Sequence, residues 1–254
     1  MKSLVVAATV VAAFPSPQMQ TSAPWTLYAS GHYQQAISAG LARNDGFGYA
    51  IAARAELARE MLRDEPCLEC LEQAENYARE AISSDPKLAE GHVYLAVALG
   101  YETRILGPVI ARLKNFPNTA KNEIDAALAD DPRDPWAWAA LGGWNVEVVR
   151  SGGALGRLIY GASVPQGVED FRKSFEIDPH NVVLRMQFAL SLAGYDRKTY
   201  RSDIADALTI AASDKPRTAY DAFSQSRARQ LLAALNLGDM AAFDRLVRHD
   251  QGYP

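Results

Sequence analysis

The residues whose spacing most readily implies chemistry are two cysteines three positions apart, Cys67 and Cys70 in PCLECLEQ. A Cys-x-x-Cys pair performs thiol–disulfide exchange when it lies beside a βαβ pattern, and none surrounds this one. Two sulfurs do not fill a four-ligand zinc site, and the histidines (His32, His92, His180 and His249) are scattered without ligand spacing. The pair is expected to form a short local disulfide, or to stay as two half-buried thiols, at a helix start. Redox and metal roles are the lesser alternatives. Nucleophilic chemistry has less support: no Gly-x-Ser-x-Gly elbow is present. GGALG, Gly152 to Gly156, lacks the Lys-Ser/Thr of a phosphate loop and follows no predicted strand, so it reads as a flexible turn. Carboxylates spread along helix faces read as solvated charge. The expectation is no enzyme, no cofactor and no metal.

Whatever site exists must be positioned by a chain of 254 residues, 48% hydrophobic and 22% charged, with a formal net charge of −4. Such a length exceeds one compact unit, although helical arrays escape that limit by adding repeats. An acidic balance without a basic stripe argues against nucleic acid as a partner. The first residues, MKSLVVAATVVAAFPSP, put one lysine before an apolar run from Leu4 to Ala13 and then break at proline. This predicts a secretory signal, with Val11, Ala12 and Ala13 near the cleavage point. A permanent membrane span would need about 20 apolar residues. Residues 1–23 are read as signal peptide and short linker, and 24–254 as one exported, soluble domain, periplasmic or secreted. In an exported chain the cysteine pair can stay oxidised.

Four segments share one frame, in which three small or apolar residues spaced by four and then three are followed by proline. They are Ala74/Ala78/Ala81/Pro86, Ala120/Ile124/Ala127/Pro132, Gly167/Phe171/Ser174/Pro179 and Ile204/Leu208/Ala211/Pro216. That spacing places the side chains on one helix face, where small ones admit a close neighbour. The proline ends each helix by disfavouring α conformation in the residue before it, which in three cases is Asp85, Asp131 or Asp178. Alanine-rich, helix-forming stretches follow each proline. The fold class expected is all-α.

Measured from the preceding proline, Trp138, Leu141 and Gly142 occupy the W, L and G of the pattern W-x2-L-G-x2-Y, and His92, Leu95 and Ala96 hold the same offsets one unit earlier. YASGHYQQAI, near the start, carries a Gly-x-Tyr-x-x-Ala turn. The chain thus resembles tetratricopeptide repeats. That resemblance implies a right-handed α-solenoid, an arc of antiparallel helix pairs with recognition on its concave side. Two units exceed the standard length of about 34 residues by about a dozen each. The excess falls at Tyr101 to Asn118 and Glu147 to Gln166, corresponding places that should project from one edge.

The second long unit, DPWAWAALGGWNVEVV followed by GRLIYGASVPQGVEDFRKSFEIDP, resembles the regulator of microtubule dynamics family. Trp138, Leu141, Gly142, Trp144, Glu147 and Val148 match that family's W-x-x-L-G-x-W-x-x-E-V core. The resemblance implies a helical adaptor without catalysis. Microtubule association is not carried over, since an exported chain would not meet cytoplasmic tubulin.

In a tetratricopeptide repeat the first helix of each pair lines the groove. Carried over by the proline frame, the groove positions are Val93, Tyr94, Val97 and Tyr101, then Trp136, Ala139, Ala140, Gly143 and Glu147, then Met186, Gln187 and Leu190. They are mostly apolar and lack the Asn, Lys or Arg clamp of peptide-binding members. Such a hollow suits a protein partner, an amphipathic peptide or a small apolar ligand. The insertions could instead fold inward and fill it, the arrangement favoured here. Of the clustered tryptophans, Trp138 is expected in the core, Trp136 facing the groove and Trp144 beside an insertion, where the Gly142–Gly143 pair permits close approach.

Both insertions are basic. One carries Arg104, Arg112 and Lys114 and the other Arg150 and Arg157, with no acidic residue from Thr103 to Asn122 or from Val148 to Val168. This mixture would allow a weak contact with an anionic membrane surface or an acidic partner. The simpler expectation is that these side chains complement helix C-termini and lie along apolar surface.

The function expected is that of an exported, non-catalytic adaptor or scaffold that binds a protein, a peptide or an apolar ligand through its concave face. The alternative is a solute-binding accessory component of a transport system, which calls for an enclosed cavity beside Arg104 or Arg150. A groove plugged by Leu106, Ile110 or Leu158 would count against it. An enzyme would need a cleft gathering acid, base and nucleophile.

Overall fold

The computed structural model describes residues 22–253; most of the expected signal segment, residues 1–21, lies outside them. Among the described residues there are thirteen helices and no strand. In chain order they are α1 (Ala23–Ala29), α2 (Tyr33–Arg43), α3 (Gly46–Met61), α4 (Leu68–Ser84), α5 (Ala89–Leu106), the short α6 (Pro108–Leu113), α7 (Phe116–Asp130), α8 (Pro135–Tyr160), α9 (Val164–Ile177), α10 (Val182–Asp196), α11 (Arg201–Ser213), α12 (Ala219–Leu237) and α13 (Met240–Asp250). None is long and apolar enough to cross a membrane.

The proline frame marks four helix ends. Pro86, Pro132, Pro179 and Pro216 follow the last residues of α4, α7, α9 and α11 by two or three positions. Asp85 and Asp131 take up extended backbone at the C-caps, and Asp178 (φ −132°, ψ 80°) likewise leaves the helical region that proline disfavours in the residue before it. The Asp85 and Asp131 carboxylates then accept the N–H of the second residue on, at 3.1 and 2.9 Å, and so shape the turn. The stripes ahead of each proline are buried: Ala74, Ala78, Ala81, Ala127 and Ala211 are all fully enclosed. The next helix starts on its own signals. Pro135 opens α8 behind Asp134, whose carboxylate accepts from the Trp136 and Ala137 N–H groups, and Thr218 and Asp221 form a capping box on α12.

Consecutive helices pack on one another, and α3, α5, α8, α10 and α12 also touch in turn along an inner row. That row returns on itself. α1 packs on α3 at one end and meets α12 at the other, where a Cβ on Gly31 would lie 3.0 Å from that of Ala219. Tyr220 of α12 packs into the N-terminal hydrophobic cluster around Tyr28, Ile37 and Ile51. The row of helices therefore curves far enough for its two ends to meet, as a ring. Small residues permit the closest approaches in it. A Cβ on Gly142 of α8 would lie 2.5 Å from the Phe171 ring and 2.8 Å from the Gly167 carbonyl oxygen of α9, so those two backbones pack at near-contact.

The tryptophan cluster divides. Trp136 and Trp144 are half-buried and pack against both of the larger hydrophobic clusters. Trp138, expected in the core, is half-buried like the other two but packs against neither cluster. Its indole N–H donates to the Pro132 carbonyl at 2.9 Å, and the Lys173 ammonium lies 4.1 Å from its ring centre. The contact face of α8 belongs to Ala137 and Gly142, which are small enough for the neighbouring helices, and the large indole turns aside to cover the inter-helix turn.

Candidate functional site

The inner face of the helical ring lines a cavity of about 220 Å³ that is partly open to solvent. Its wall follows helical periodicity on each inner helix: Leu57, Ala58 and Met61 from α3, Tyr94, Val97 and Tyr101 from α5, Trp136, Ala140, Gly143, Trp144 and Glu147 from α8. Val93 and Ala139 also line it. Of the expected groove positions, Met186 and Leu190 do not. Both are buried in the hydrophobic cluster between α8 and α13. The expected Gln187 does line it, and α10 is turned so that Val183, Leu184 and Ser191 face the cavity beside it. The Gln187 amide donates to the Tyr101 hydroxyl at 3.4 Å, which joins α10 to α5 across the space.

One end of the cavity is closed by an aromatic box around Arg54 of α3. The guanidinium carbon lies 4.9 Å from the Trp25 ring centre, 4.7 Å from Tyr28 and 5.0 Å from Trp136. Arg54 also donates to the Tyr94 hydroxyl at 3.2 Å. Among the described residues no carboxylate lies within ion-pair range of it. Ring quadrupoles therefore take the place of a counter-ion, an arrangement worth about 0.5–2 kcal/mol per ring. Burial pushes the Tyr28 and Tyr94 hydroxyls above the usual tyrosine range, with Arg54 acting in the opposite sense, so both remain neutral donors. Nearby, Asp134 is pushed up to about 7 by burial and, after that, by Glu90, against the pull of its two N-cap hydrogen bonds.

The other end is a polar rim. Glu147 accepts from the Arg150 guanidinium, 3.1 Å from its Nε, and lies 3.9 Å from Arg104 of α5. The C-terminal turn crosses here. Arg104 donates to the Gln251 carbonyl at 2.7 Å, the Gln251 amide donates to the Leu190 carbonyl at 2.8 Å, and Tyr253 donates to Glu147 at 3.3 Å. Gly252 rests against the Tyr101 ring. Two expectations are thereby corrected. The insertions line the hollow without plugging it: Thr103, Phe116, Pro117 and Ser151 belong to the cavity wall and Leu106, Ile110 and Leu158 do not, while the C-terminal turn lies over the rim at Tyr101, Arg104 and Glu147. Arg104 and Arg150 are held inside this network and do not face outward with the other insertion cations.

The insertions themselves become two short helices at the C-terminal ends of α5 and α8. α6 follows Gly107, and α8 breaks at Gly153 (φ 56°, ψ −137°) before its last turns, residues 154–160. Arg112, Lys114 and Arg157 are exposed there. Cys67 and Cys70, away from the cavity, form a disulfide with an S–S distance of 2.07 Å. Glu60 accepts from the Cys67 N–H at 2.6 Å, so these three lie together. The bonded sulfurs are not thiolates and offer no metal ligand. The loop they close is only a few residues long, so reduction is expected to cost about 2 kcal/mol of stability. A modest fall in melting temperature on adding reductant, measured by circular dichroism, checks this.

The family model for regulator of microtubule dynamics protein 1-3 matches residues 49–236. The chain belongs to that family. A search of curated proteins gives no match. The matched span holds every cavity-lining residue except Tyr28, so the cavity lies within the family's helical region. What the repeat pattern missed is the α1–α3 wall, with Arg54, and the contribution of Tyr220. The one sequence signal for Arg54 is a single cation inside an alanine run, AIAARAELA, where a solvent-facing helix would carry more charge.

Proposed function

We propose that this chain is an exported, non-catalytic, tetratricopeptide-like protein that holds a small apolar ligand in the hollow of its ring. The observation that carries this reading is a cavity walled mainly by aliphatic and aromatic side chains, in which the charged groups, Arg54, Arg104 and Glu147, stand at its two ends. A protein or peptide partner is less well accommodated, because the C-terminal turn already occupies the mouth at Tyr101, Arg104 and Glu147. The absence of catalysis is supported by the lining. Glu147 is its carboxylate, and that group is engaged by two arginines and a tyrosine. Microtubule regulation, the activity in the family's name, is not extended to this chain, since export would separate it from cytoplasmic tubulin. A solute-binding role beside a transport system is the second reading, favoured by a cavity that reaches Arg104 and is not plugged by the insertions.

Gly143 gives the sharpest test. It lines the cavity, and the nearest side-chain atom to a Cβ there would be 4.0 Å away, so leucine can enter the empty space without displacing its neighbours. Leucine also favours a helix over glycine by about 0.8 kcal/mol. Gly143→Leu is expected to keep or raise the melting temperature while abolishing saturable binding of N-phenyl-1-naphthylamine, a neutral apolar fluorophore. Tyr94→Ala, Tyr101→Ala and Trp136→Ala should weaken that binding with helical content intact. A wild-type protein that gives no saturable signal, or a Gly143→Leu variant that binds equally well, removes the reading.

A further inference from the structure

Eight large hydrophobic side chains are exposed among the described residues, and six of them lie on the two insertion helices. Val109, Ile110 and Leu113 of α6 are 72%, 43% and 81% exposed, and Leu155, Leu158 and Ile159 at the end of α8 are 56%, 82% and 44% exposed. The two helices are built alike. Each is pinned by one small buried residue, Ala111 in α6 and Gly156 in the other, where an added Cβ would lie 2.6 Å from the Val148 carbonyl oxygen. Each turns its remaining apolar side chains to water. They also share an edge. α5 and α8 are both antiparallel to α7 and touch each other, so their C-terminal ends, from which the two short helices project, lie at the same side of the ring.

Charge completes the pattern. Arg112 and Lys114 flank Leu113, and Arg157 adjoins Leu158; all three cations are exposed, and no ion pair within 4.0 Å engages them among the described residues. Neither segment contains an acidic residue. We propose that this edge docks on an anionic lipid bilayer, with the six apolar side chains entering the headgroup–acyl boundary and Arg112, Lys114 and Arg157 meeting lipid phosphates. Short amphipathic helices with interleaved cations bury their apolar face about 5–10 Å into that boundary, and long cationic side chains reach back to phosphate level. A bilayer is the occupant that this chemistry fits, because exposed cations are interleaved with exposed apolar side chains on both short helices and no acidic residue lies in either segment, where the core of a protein interface is depleted of charge. Arg104 and Arg150 contribute nothing to this surface, being committed to Glu147 and the C-terminal turn.

Co-sedimentation with vesicles of phosphatidylcholine, alone and mixed with phosphatidylserine, tests the proposal on the purified full chain. Binding is expected to the mixed vesicles only and to weaken as salt is raised. A basic residue near an anionic surface contributes about fivefold in affinity, so Arg112→Glu with Arg157→Glu should lower the partition coefficient by about 25-fold or more. Leu113→Ser with Leu158→Ser should lower it by about tenfold or more through lost apolar burial. Both pairs sit on the surface and should leave the melting temperature unchanged. Gly143→Leu, which fills the cavity, should bind vesicles as the wild type does, separating this edge from the hollow. Failure of the wild type to sediment with the mixed vesicles overturns the proposal, including the case in which the protein self-associates through this edge. So does equal sedimentation of either double variant.

Discussion

Replacing Glu102 with glutamine is expected to flatten the loss of stability that the wild-type protein suffers as pH rises from about 4.5 to about 8. Glu102 lies on α5 and is fully buried; its polar neighbour is the Glu75 carboxylate, to which it can hydrogen-bond only while it keeps its own proton. Burial, and then the neighbouring Glu75 and Glu72 carboxylates, push its carboxyl from the ordinary value of 4.5 up to about 8. The folded protein therefore keeps a proton that the unfolded chain has already released above its ordinary value. Between those two values the native state binds more protons than the unfolded state, so stability falls with rising pH. It is fully present below about 4.5 and lost as pH passes through about 8, a difference on the order of a few kcal/mol. Glutamine keeps the shape and has no proton to lose. The two proteins should melt at similar temperatures near pH 5, while near pH 9 the variant should be the more stable by several degrees or more. A smaller slope of the same sign should persist, because Asp134 is raised to about 7, by burial first and Glu90 second. Thermal melts in a pH series decide the matter: parallel curves for the two proteins across that range would show that Glu102 is ionised in the folded state.

What the sequence discloses about this fold is local. Proline constrains the residue before it, so Asp85, Asp131 and Asp178 mark helix ends without reference to anything distant. The stripes ahead of those prolines repeat small or apolar side chains at the same spacing and are found buried. On α5 and α8 the tetratricopeptide resemblance, set in register by those prolines, points to Tyr94, Tyr101, Trp136 and Gly143, and all four line the cavity. On α10 the same register finds Gln187 but not the rest, because the apolar residues surround that helix on all sides. Val183 and Leu184 face the cavity while Met186 and Leu190 face the core, and only packing chooses between them. Closure of the ring by α1 on α12, and coverage of the mouth by Gln251 to Tyr253, are long-range contacts with no periodic signal at all. Arg104 and Arg150 illustrate the consequence. Their charge is visible in the sequence, but their inward direction is set by Glu147 and by a carbonyl almost 150 residues later in the chain.

Gly142 and Phe171 are expected to be strongly non-additive, because the glycine's missing side chain and the phenylalanine's ring occupy one space. Gly142→Ala alone would place a Cβ 2.5 Å from the ring and 2.8 Å from the Gly167 carbonyl oxygen. Overpacking of this kind costs about 1–3 kcal/mol, more than the 0.8–1.0 kcal/mol that alanine returns in helix propensity. Phe171→Ala alone removes a ring that is 1% exposed and packs 5.1 Å from Phe188, a loss of about 3–5 kcal/mol. In the double variant the clash with the ring is gone and the added methyl fills part of the space it left. The combined loss should therefore fall short of the summed single losses by about 0.5–3 kcal/mol. It should not vanish, since the Gly167 carbonyl belongs to the backbone of α9 and moves only if the helix moves. Denaturant melts of the four proteins give the coupling directly. Losses that add to within about 0.5 kcal/mol would mean that backbone-to-backbone contact alone sets the spacing of α8 and α9, with the ring as a bystander.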